Sequence, residues 1–337
     1  MTDTLNIAVI GAGAFGSNHA RVYRELASHD TSLRLAAIVD ANLARAEALA
    51  KTHGAHAYSS LDDLLRQEKI TAASVAVPTV HHLEVASRLM EAGVDVLIEK
   101  PLATSLAEAD QLIAIAQKTG RIGQVGHLER FNPAVRATLP LITRPMFFEV
   151  HRLSVFTPRS LDVDVILDLM IHDLDVVLAF VNSPVKEIRA VGLPILSGKV
   201  DIANVRMEFE SGCVANLTAS RVSTERVRKL RFFQPGQYIS IDYGRQDVIV
   251  FSVGDKSSLA SAPSVNPQIS MGKPTVTSEE PLHAELKSFL DCIRQRTQPL
   301  VSLSEGRRAL AVALEIVAAI AQHGREIRLD HLNSHQS

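Results

Sequence analysis

Two cysteines, Cys213 and Cys292, are all that the 337 residues contain, and neither belongs to a CxxC pair. A disulfide scaffold and a redox dithiol are therefore excluded, and the expectation is free buried thiols in a reducing cytoplasm. Positive charge is not in surplus either. The 35 Lys and Arg face 37 Asp and Glu, for a net charge of −2, so nothing draws the chain to nucleic acid or to an anionic membrane. The N-terminus lacks a basic stretch ahead of an apolar one, and no signal peptide is expected. The most apolar late stretch, "ALAVALEIVAAIAQHG", is broken by Glu315 and ends at His323, which reads as a buried helix and not a membrane span. Among 13 histidines there is no HExxH, and the adjacent His81 and His82 supply no ligand set, so no metal is expected. Internal repeats and low-complexity blocks are absent as well.

What is present is ordinary globular material: 46% hydrophobic and 21% charged residues, in a chain whose length suits two domains. Short β-branched runs at 5–10, 33–39, 72–77, 94–99 and 120–126 read as strands. The amphipathic stretches 14–28, 42–53, 60–68, 80–92 and 105–119 read as helices between them. Strict alternation implies right-handed crossovers and a parallel sheet covered on both faces. The pattern then changes. A short helix is predicted after Pro133, a strand at 146–152, and a helix over 164–180. Strands follow at 186–194, 200–209, 213–220, 227–233, 237–242 and 246–252, then a long loop over 253–280 and helices at 282–297 and 304–322. The fold class is therefore α/β: a doubly wound Rossmann domain over 1–126, then an α+β domain with a large open, mostly antiparallel sheet over 127–330. The final "LNSHQS" is expected to fray.

"VIGAGAFG" places Gly11, Gly13 and Gly16, with Ala14 and Phe15 between the last two, at the turn from the first strand into the first helix. Gly11 allows the tight turn, Gly13 lets the backbone approach a pyrophosphate, and Gly16 lets helix and strand pack closely. The helix N-terminus offers unpaired N–H groups to phosphate. Asp40 ends the second strand where a ribose-binding acid is expected. A carboxylate there accepts from ribose hydroxyls and repels a 2′-phosphate, so NAD is favoured over NADP. The fourth strand exits through "VPTVHH", with Pro78, Thr79 and His82, and the fifth through "EKP", with Glu99 and Lys100. Ligands of open α/β sheets bind outside such strand ends.

In "DVILDLMIHDLDVVLAF" (164–180), Asp164, Asp168, His172 and Asp175 recur at steps of four, four and three on a largely apolar helix. In helical geometry they form one stripe. Asp173 falls off that stripe and reads as a surface or cap residue.

The ordered set of GxGxxG, "VPTVHH", "EKP" and a later Asp-x-x-x-His resembles the Gfo/Idh/MocA oxidoreductases over essentially the whole chain. That resemblance implies NAD-dependent oxidation of a sugar or cyclitol hydroxyl, with Lys100, Asp168 and His172 as the catalytic set. A histidine suits removal of the hydroxyl proton, an acid one turn earlier suits its orientation, and a lysine suits polarising the hydroxyl or, if its pKa is lowered, accepting the proton itself. The family often has glycine where this chain has Met170. "GHLERFNPAV" (126–135), "DLMIHDLD" and "SRVSTERVRKLRFF" (220–233) further resemble the UDP-N-acetylglucosamine 3-dehydrogenase branch. This implies a nucleotide-sugar substrate, a 3-keto product and a partner aminotransferase. It also makes Arg130 and Asn132 substrate-binding candidates beside Lys100, Asp168 and His172. Arg130 reads equally as a salt-bridging residue at the domain boundary. Arg221, Arg226, Arg228, Lys229 and Arg231 form a basic cluster that reads either as a diphosphate site or as a solvated strand. A homodimer or homotetramer formed through the open sheet is expected. The alternatives left open are a dehydrogenase of another sugar or of inositol, and a non-catalytic NAD- or sugar-sensing regulator.

Overall fold

The computed structural model describes residues 4–157, 163–253 and 269–326. In chain order the first elements are β1 (Leu5–Ile10), α1 (Ala14–His29), β2 (Leu33–Val39), α2 (Leu43–His53), β3 (His56–Tyr58), α3 (Leu61–Gln67), β4 (Ala72–Val75), α4 (His82–Glu91), β5 (Asp95–Glu99), α5 (Leu106–Thr119) and β6 (Gly123–Gly126). Then come α6 (Pro133–Thr138), β7 (Phe147–Val155), α7 (Ile171–Val181), β8 (Val185–Leu193), β9 (Ile202–Phe209), β10 (Val214–Ser223), β11 (Val227–Gln234), β12 (Gln237–Asp242), β13 (Asp247–Val253), β14 (Ile269–Gly272), α8 (Pro281–Gln295) and α9 (Leu303–Glu326). The chain divides into two compact units, one of residues up to Phe131 with Glu280–Leu310, the other of Asn132–Glu279 with Ala311 onward.

In the first unit a parallel sheet runs in the order β3-β2-β1-β4-β5-β6. Strands β1, β2, β4 and β5 are mostly Ala, Val, Ile and Leu because helices cover both faces. Asn42, Ser60 and Ser105 each accept a backbone N–H at the starts of α2, α3 and α5. The start of α1 has no such side chain.

The sequence reading put residues 282–297 in the second domain, and here the structure differs. Leu286, Phe289, Leu290 and Ile293 of α8 are buried in one core cluster with Ile7, Val9, Leu35, Tyr23 and Leu97. The apolar stripe of α8 completes the Rossmann core, so the chain returns to the first unit after leaving it. The short β3 was also absent from the prediction, since three residues are too few to show a period.

The second unit holds a sheet in the order β14-β13-β12-β11-β7-β10-β9-β8. Every pairing is antiparallel except β7 with β10. Strand alternation sends Phe148, Val150, Leu217, Leu230, Phe232 and Ile239 to a buried face. There Phe180 of α7 packs against Phe148 and Phe232, with ring centroids 6.4 and 5.9 Å apart. The opposite face carries Phe147, Phe233, Tyr238 and Phe251, in successive ring contacts of 5.7, 5.0 and 5.7 Å. β14 lies inside the stretch read as a loop over 253–280. Residues 254–268 of that loop lie outside the described residues, as does "LNSHQS". Both cysteines are free and buried, and burial pushes the Cys213 thiol up to about 11. No helix among the described residues is long and apolar enough to cross a membrane.

Candidate active site

The carboxyl ends of the parallel strands gather most of the predicted cofactor residues. Gly11 has φ +102°, and a Cβ there would meet the carbonyl oxygen of Ala76 at 2.5 Å. A Cβ on Gly16 would lie 1.7 Å from the Gly11 carbonyl oxygen. These two glycines are demanded by the fold itself. Gly13 is different: among the described residues, nothing stands within 4 Å of the place where its Cβ would be. It caps α1 with no side-chain partner, so the first-turn amides of a 16-residue helix remain open to an anion. Ala14 and Phe15 begin that turn, and Phe15 is half exposed.

The Asp40 carboxylate accepts Ala12 N–H at 2.8 Å and Asn42 N–H at 2.8 Å. It therefore holds the glycine loop while keeping oxygen lone pairs for ribose hydroxyls. Open amides, a side-chain-free approach at Gly13 and an acid after β2 together fit an NAD adenosine and pyrophosphate. Arg45 sits in the first turn of α2, where its backbone N–H is taken by Asn42.

On the other half of the sheet, Pro78 and Thr79 leave β4 in a short 3-10 turn. His82 is buried and ringed by carbonyls: Nε2 is 3.0 Å from Val77 O, and Nδ1 is 3.1 Å from Pro101 O and 3.3 Å from Leu102 O. Burial pushes its pKa below the ordinary histidine value. The ring thus clasps the exits of β4 and β5 together. Glu99 ends β5 with its carboxylate against Gly126, where a Cβ would come within 3.1 Å of it. Lys100 follows, half-buried; its backbone N–H donates to Glu99 Oε2 at 3.3 Å and its bond to Pro101 is cis. Because Glu99 pairs with Gly126 in register, the next residues of β5 and β6, Lys100 and His127, leave the sheet side by side.

Two expected substrate residues have structural engagements. Arg130 is buried in the first unit, with Nη1 3.5 Å from Glu305 and Nη2 donating to Leu300 O at 3.5 Å. Asn132 is buried in the second, where Oδ1 accepts Ala134 N–H at 3.1 Å to cap α6 and Nδ2 donates to Tyr243 O at 3.1 Å.

The predicted helix over 164–180 is not uniform. Residues Ile166–Met170 form a π turn, and regular α-helix begins at Ile171. Asp168 lies in the π turn and His172 one residue inside α7, both half-buried. Met170, in the place of the family glycine, is buried in the unit's interior. Asp164 belongs to the start of this segment and accepts Val200 N–H at 3.0 Å, tying it to the β8–β9 connection. Asp173 corrects the surface reading: it is buried and receives Arg152 Nε at 2.6 Å and Nη2 at 2.9 Å. Arg152 also lies 5.2 Å from the centroid of Tyr243. This bidentate pair fixes the rotation of α7 on β7 at the residue next to His172.

The basic cluster does not act as one. Arg221 is buried, 3.6 Å from Asp201 and bonded to Val163 O. Lys229 and Arg231 pair loosely with Asp242 and Glu149 at 3.9 and 3.5 Å. Arg228 stands opposite Arg152 on β7. Among the described residues, no three His, Cys, Asp or Glu side chains are grouped to hold a metal ion.

Sequence reasoning missed His19, Ser74 and His127. His19 and Tyr23 are one turn apart on the inward face of α1, and a polar residue on a buried stripe was the available signal.

Residues 5–127 match the oxidoreductase family described as having an NAD-binding Rossmann fold, and residues 116–234 match the GFO/IDH/MocA C-terminal domain. The chain belongs to the Gfo/Idh/MocA family. A member from Acidithiobacillus ferrooxidans, UDP-N-acetylglucosamine 3-dehydrogenase, is 35% identical over 94% of this chain and 97% of its own. Its solved structure superposes with a TM-score of 0.84, covering 94% of this chain and 98% of that one. The scyllo-inositol 2-dehydrogenase (NAD(+)) of Bacillus subtilis is 25% identical over 98% of both chains. As a Gfo/Idh/MocA member, the chain is an oxidoreductase, and its first unit is an NAD-binding Rossmann unit.

Proposed function

We propose that this chain oxidises UDP-N-acetylglucosamine at C3 to the 3-keto sugar. The coarser statement is that it is an NAD-dependent sugar dehydrogenase; the sugar and the carbon are our reading. The observation that carries them is near-full-length similarity to a UDP-N-acetylglucosamine 3-dehydrogenase, at 35% identity.

NAD+, when bound, would supply the hydride acceptor for the carbinol carbon, and the hydroxyl proton would need a base from the protein. We assign that proton to His172, whose unperturbed pKa of about 6.5 suits a base at neutral pH. Asp168 orients and stabilises the imidazolium, and Lys100 binds and polarises the hydroxyl. Arg130 and Asn132 support this site through the segments they fix. The 3-ketone is a substrate for an aminotransferase, which we take as the pathway partner. We assign the aromatic sheet face of Phe147, Phe233, Tyr238 and Phe251 to a second copy of the chain, in a homodimer or homotetramer.

The test supplies purified protein with NAD+ and a panel of nucleotide sugars and free sugars, with a keto acid present to recycle bound NADH. A product two mass units below UDP-N-acetylglucosamine is expected, and deuterium placed at C3 should be lost from the sugar. Clear oxidation of inositol or another free sugar, with no oxidation of any UDP-hexosamine, rejects the reading in favour of a cyclitol or sugar dehydrogenase.

A further inference from the structure

A buried polar chain runs through the first unit from α1 to the end of β5. The Tyr23 hydroxyl is 2.8 Å from Ser74 Oγ, Ser74 Oγ is 3.0 Å from His19 Nδ1, and His19 Nε2 is 2.8 Å from Glu99 Oε1. Tyr23, Ser74 and His19 have no solvent exposure, and Glu99 has 9%. Four polar groups in such a place need a reason, because burying polar atoms costs stability unless each finds a partner. One assignment of hydrogens gives every donor an acceptor. Tyr23 O–H donates to Ser74, Ser74 O–H donates to His19 Nδ1, and His19 Nε2–H donates to Glu99. All three dipoles then point the same way, toward the carboxylate, and bonds in series polarise one another.

The carboxylate is held from a second side by the Lys100 N–H, with Gly126 leaving room for it. Burial alone would raise the Glu99 pKa. The His19 hydrogen bond, the charge of Lys100 and the Lys100 N–H outweigh it, and the net shift is downward. The group stays an anion in a place where anions are costly.

The topology says in which half of the site this anion lies. In a sheet of order 3-2-1-4-5-6 the dinucleotide lies across the strand ends, one mononucleotide to each half. Asp40 after β2 marks the adenosine half, so β4, β5 and β6 carry the nicotinamide half, and Glu99 ends β5. The oxidised ring bears a positive charge and the reduced ring does not. We propose that the Tyr23–Ser74–His19 chain holds Glu99 as an ionised carboxylate at the nicotinamide half of the site, where it favours NAD+ over NADH. His19, Ser74 and Tyr23 are positioning residues in this scheme. It rests on the NAD-binding reading and is independent of the sugar.

The experiment measures dissociation constants of NAD+ and NADH separately, by calorimetry and by NADH fluorescence, on the full chain without substrate. E99Q keeps the shape and removes the charge. It should weaken NAD+ relative to NADH by about tenfold, the size expected of one charge acting over several ångströms in a partly screened interior. H19L should move the ratio in the same direction. H19Q keeps an N–H at the Nε2 position and should restore a ratio near that of the unaltered protein. A merely structural role would change both affinities together and leave the ratio fixed. An unchanged ratio in E99Q, with NAD+ and NADH still bound, overturns the inference alone. Failure of the unaltered protein to bind either form overturns the cofactor reading and the inference with it.

Discussion

His127 should make the protein acid-sensitive in a way that one substitution removes. It is 1% exposed, and neither ring nitrogen has a hydrogen-bond partner among the described residues. Burial first, then the positive charges of Lys100 and Arg130, push its pKa down to about 3, against weaker opposite pulls from Glu99 and Glu305. In the unfolded chain a histidine titrates near 6.5. The sign follows from proton counting. Between about pH 6.5 and 3 the unfolded chain binds one more proton than the folded one, so stability rises with pH across that window and is lost on acidification. Well below pH 6.5 each unit of acidification removes about 1.4 kcal/mol, and the total between pH 7.5 and 4.5 is roughly 2.7 kcal/mol. His127→Gln removes the titration and leaves every other group in place. Urea unfolding followed by far-ultraviolet circular dichroism, at steps from pH 7.5 to 4.5, gives stability curves for both proteins. The difference between them should shrink or reverse by about 2.7 kcal/mol toward the acid end, because all shared titrations cancel. Curves that stay parallel to within about 0.5 kcal/mol would refute the account of His127 as a buried imidazole kept neutral by its surroundings.

The remaining predictions concern the site directly. His172→Ala should reduce hydride transfer by at least about 10²-fold while leaving the NAD+ dissociation constant within about twofold, read by single-turnover absorbance at 340 nm and by calorimetry; undiminished turnover removes His172 from the mechanism. Asp40→Ala should narrow the preference for NAD over NADP chiefly by weakening NAD, since the carboxylate that repels the 2′-phosphate also bonds the ribose; an unchanged ratio of the two affinities contradicts it. Gly13→Ala should keep the melting temperature within a few degrees yet lose cofactor affinity, whereas Gly16→Ala should lose the fold of the first unit, as the Cβ clearances require; equal effects in the two variants would show that the glycines are not separable. Asp173→Asn should cost about 3–5 kcal/mol, because it removes the carboxylate charge that meets the buried Arg152 guanidinium in two hydrogen bonds; a loss below about 1 kcal/mol in urea titration would show the pair to be replaceable.

The parallel half of the fold was legible because burial on both faces writes itself as apolar runs between amphipathic helices, and because Gly11, Gly16 and Asp40 stand at fixed offsets from β1 and β2. The return of α8 to the first unit was not legible. Its Leu286, Phe289 and Ile293 form a good apolar stripe, but a stripe does not name the surface it covers. Asp173 failed for a related reason. Its partner Arg152 lies 21 residues earlier on a strand, and periodicity within one helix carries no information about a neighbour's charge. The His19–Glu99 bond spans 80 residues, so only the sheet order brings the two together. Lys100, Asp168 and His172 are proposed from an ordered motif set. The roles proposed for them come from chemistry and not from spacing alone.

The π turn at Ile166–Met170 has a mechanical consequence. Such a turn holds one residue more than an α-helical turn, so this segment carries a spare link between two fixed points. Asp164 is pinned upstream at Val200, and Asp173 is pinned downstream at Arg152. Deleting one residue between them would let the link relax to ordinary helix with its backbone ladder complete, as each residue turns the helix by about 100°. The helix would survive, both anchors would hold, and Asp168 would be re-aimed relative to His172. The aim of the acid is set by the length of chain between two pins.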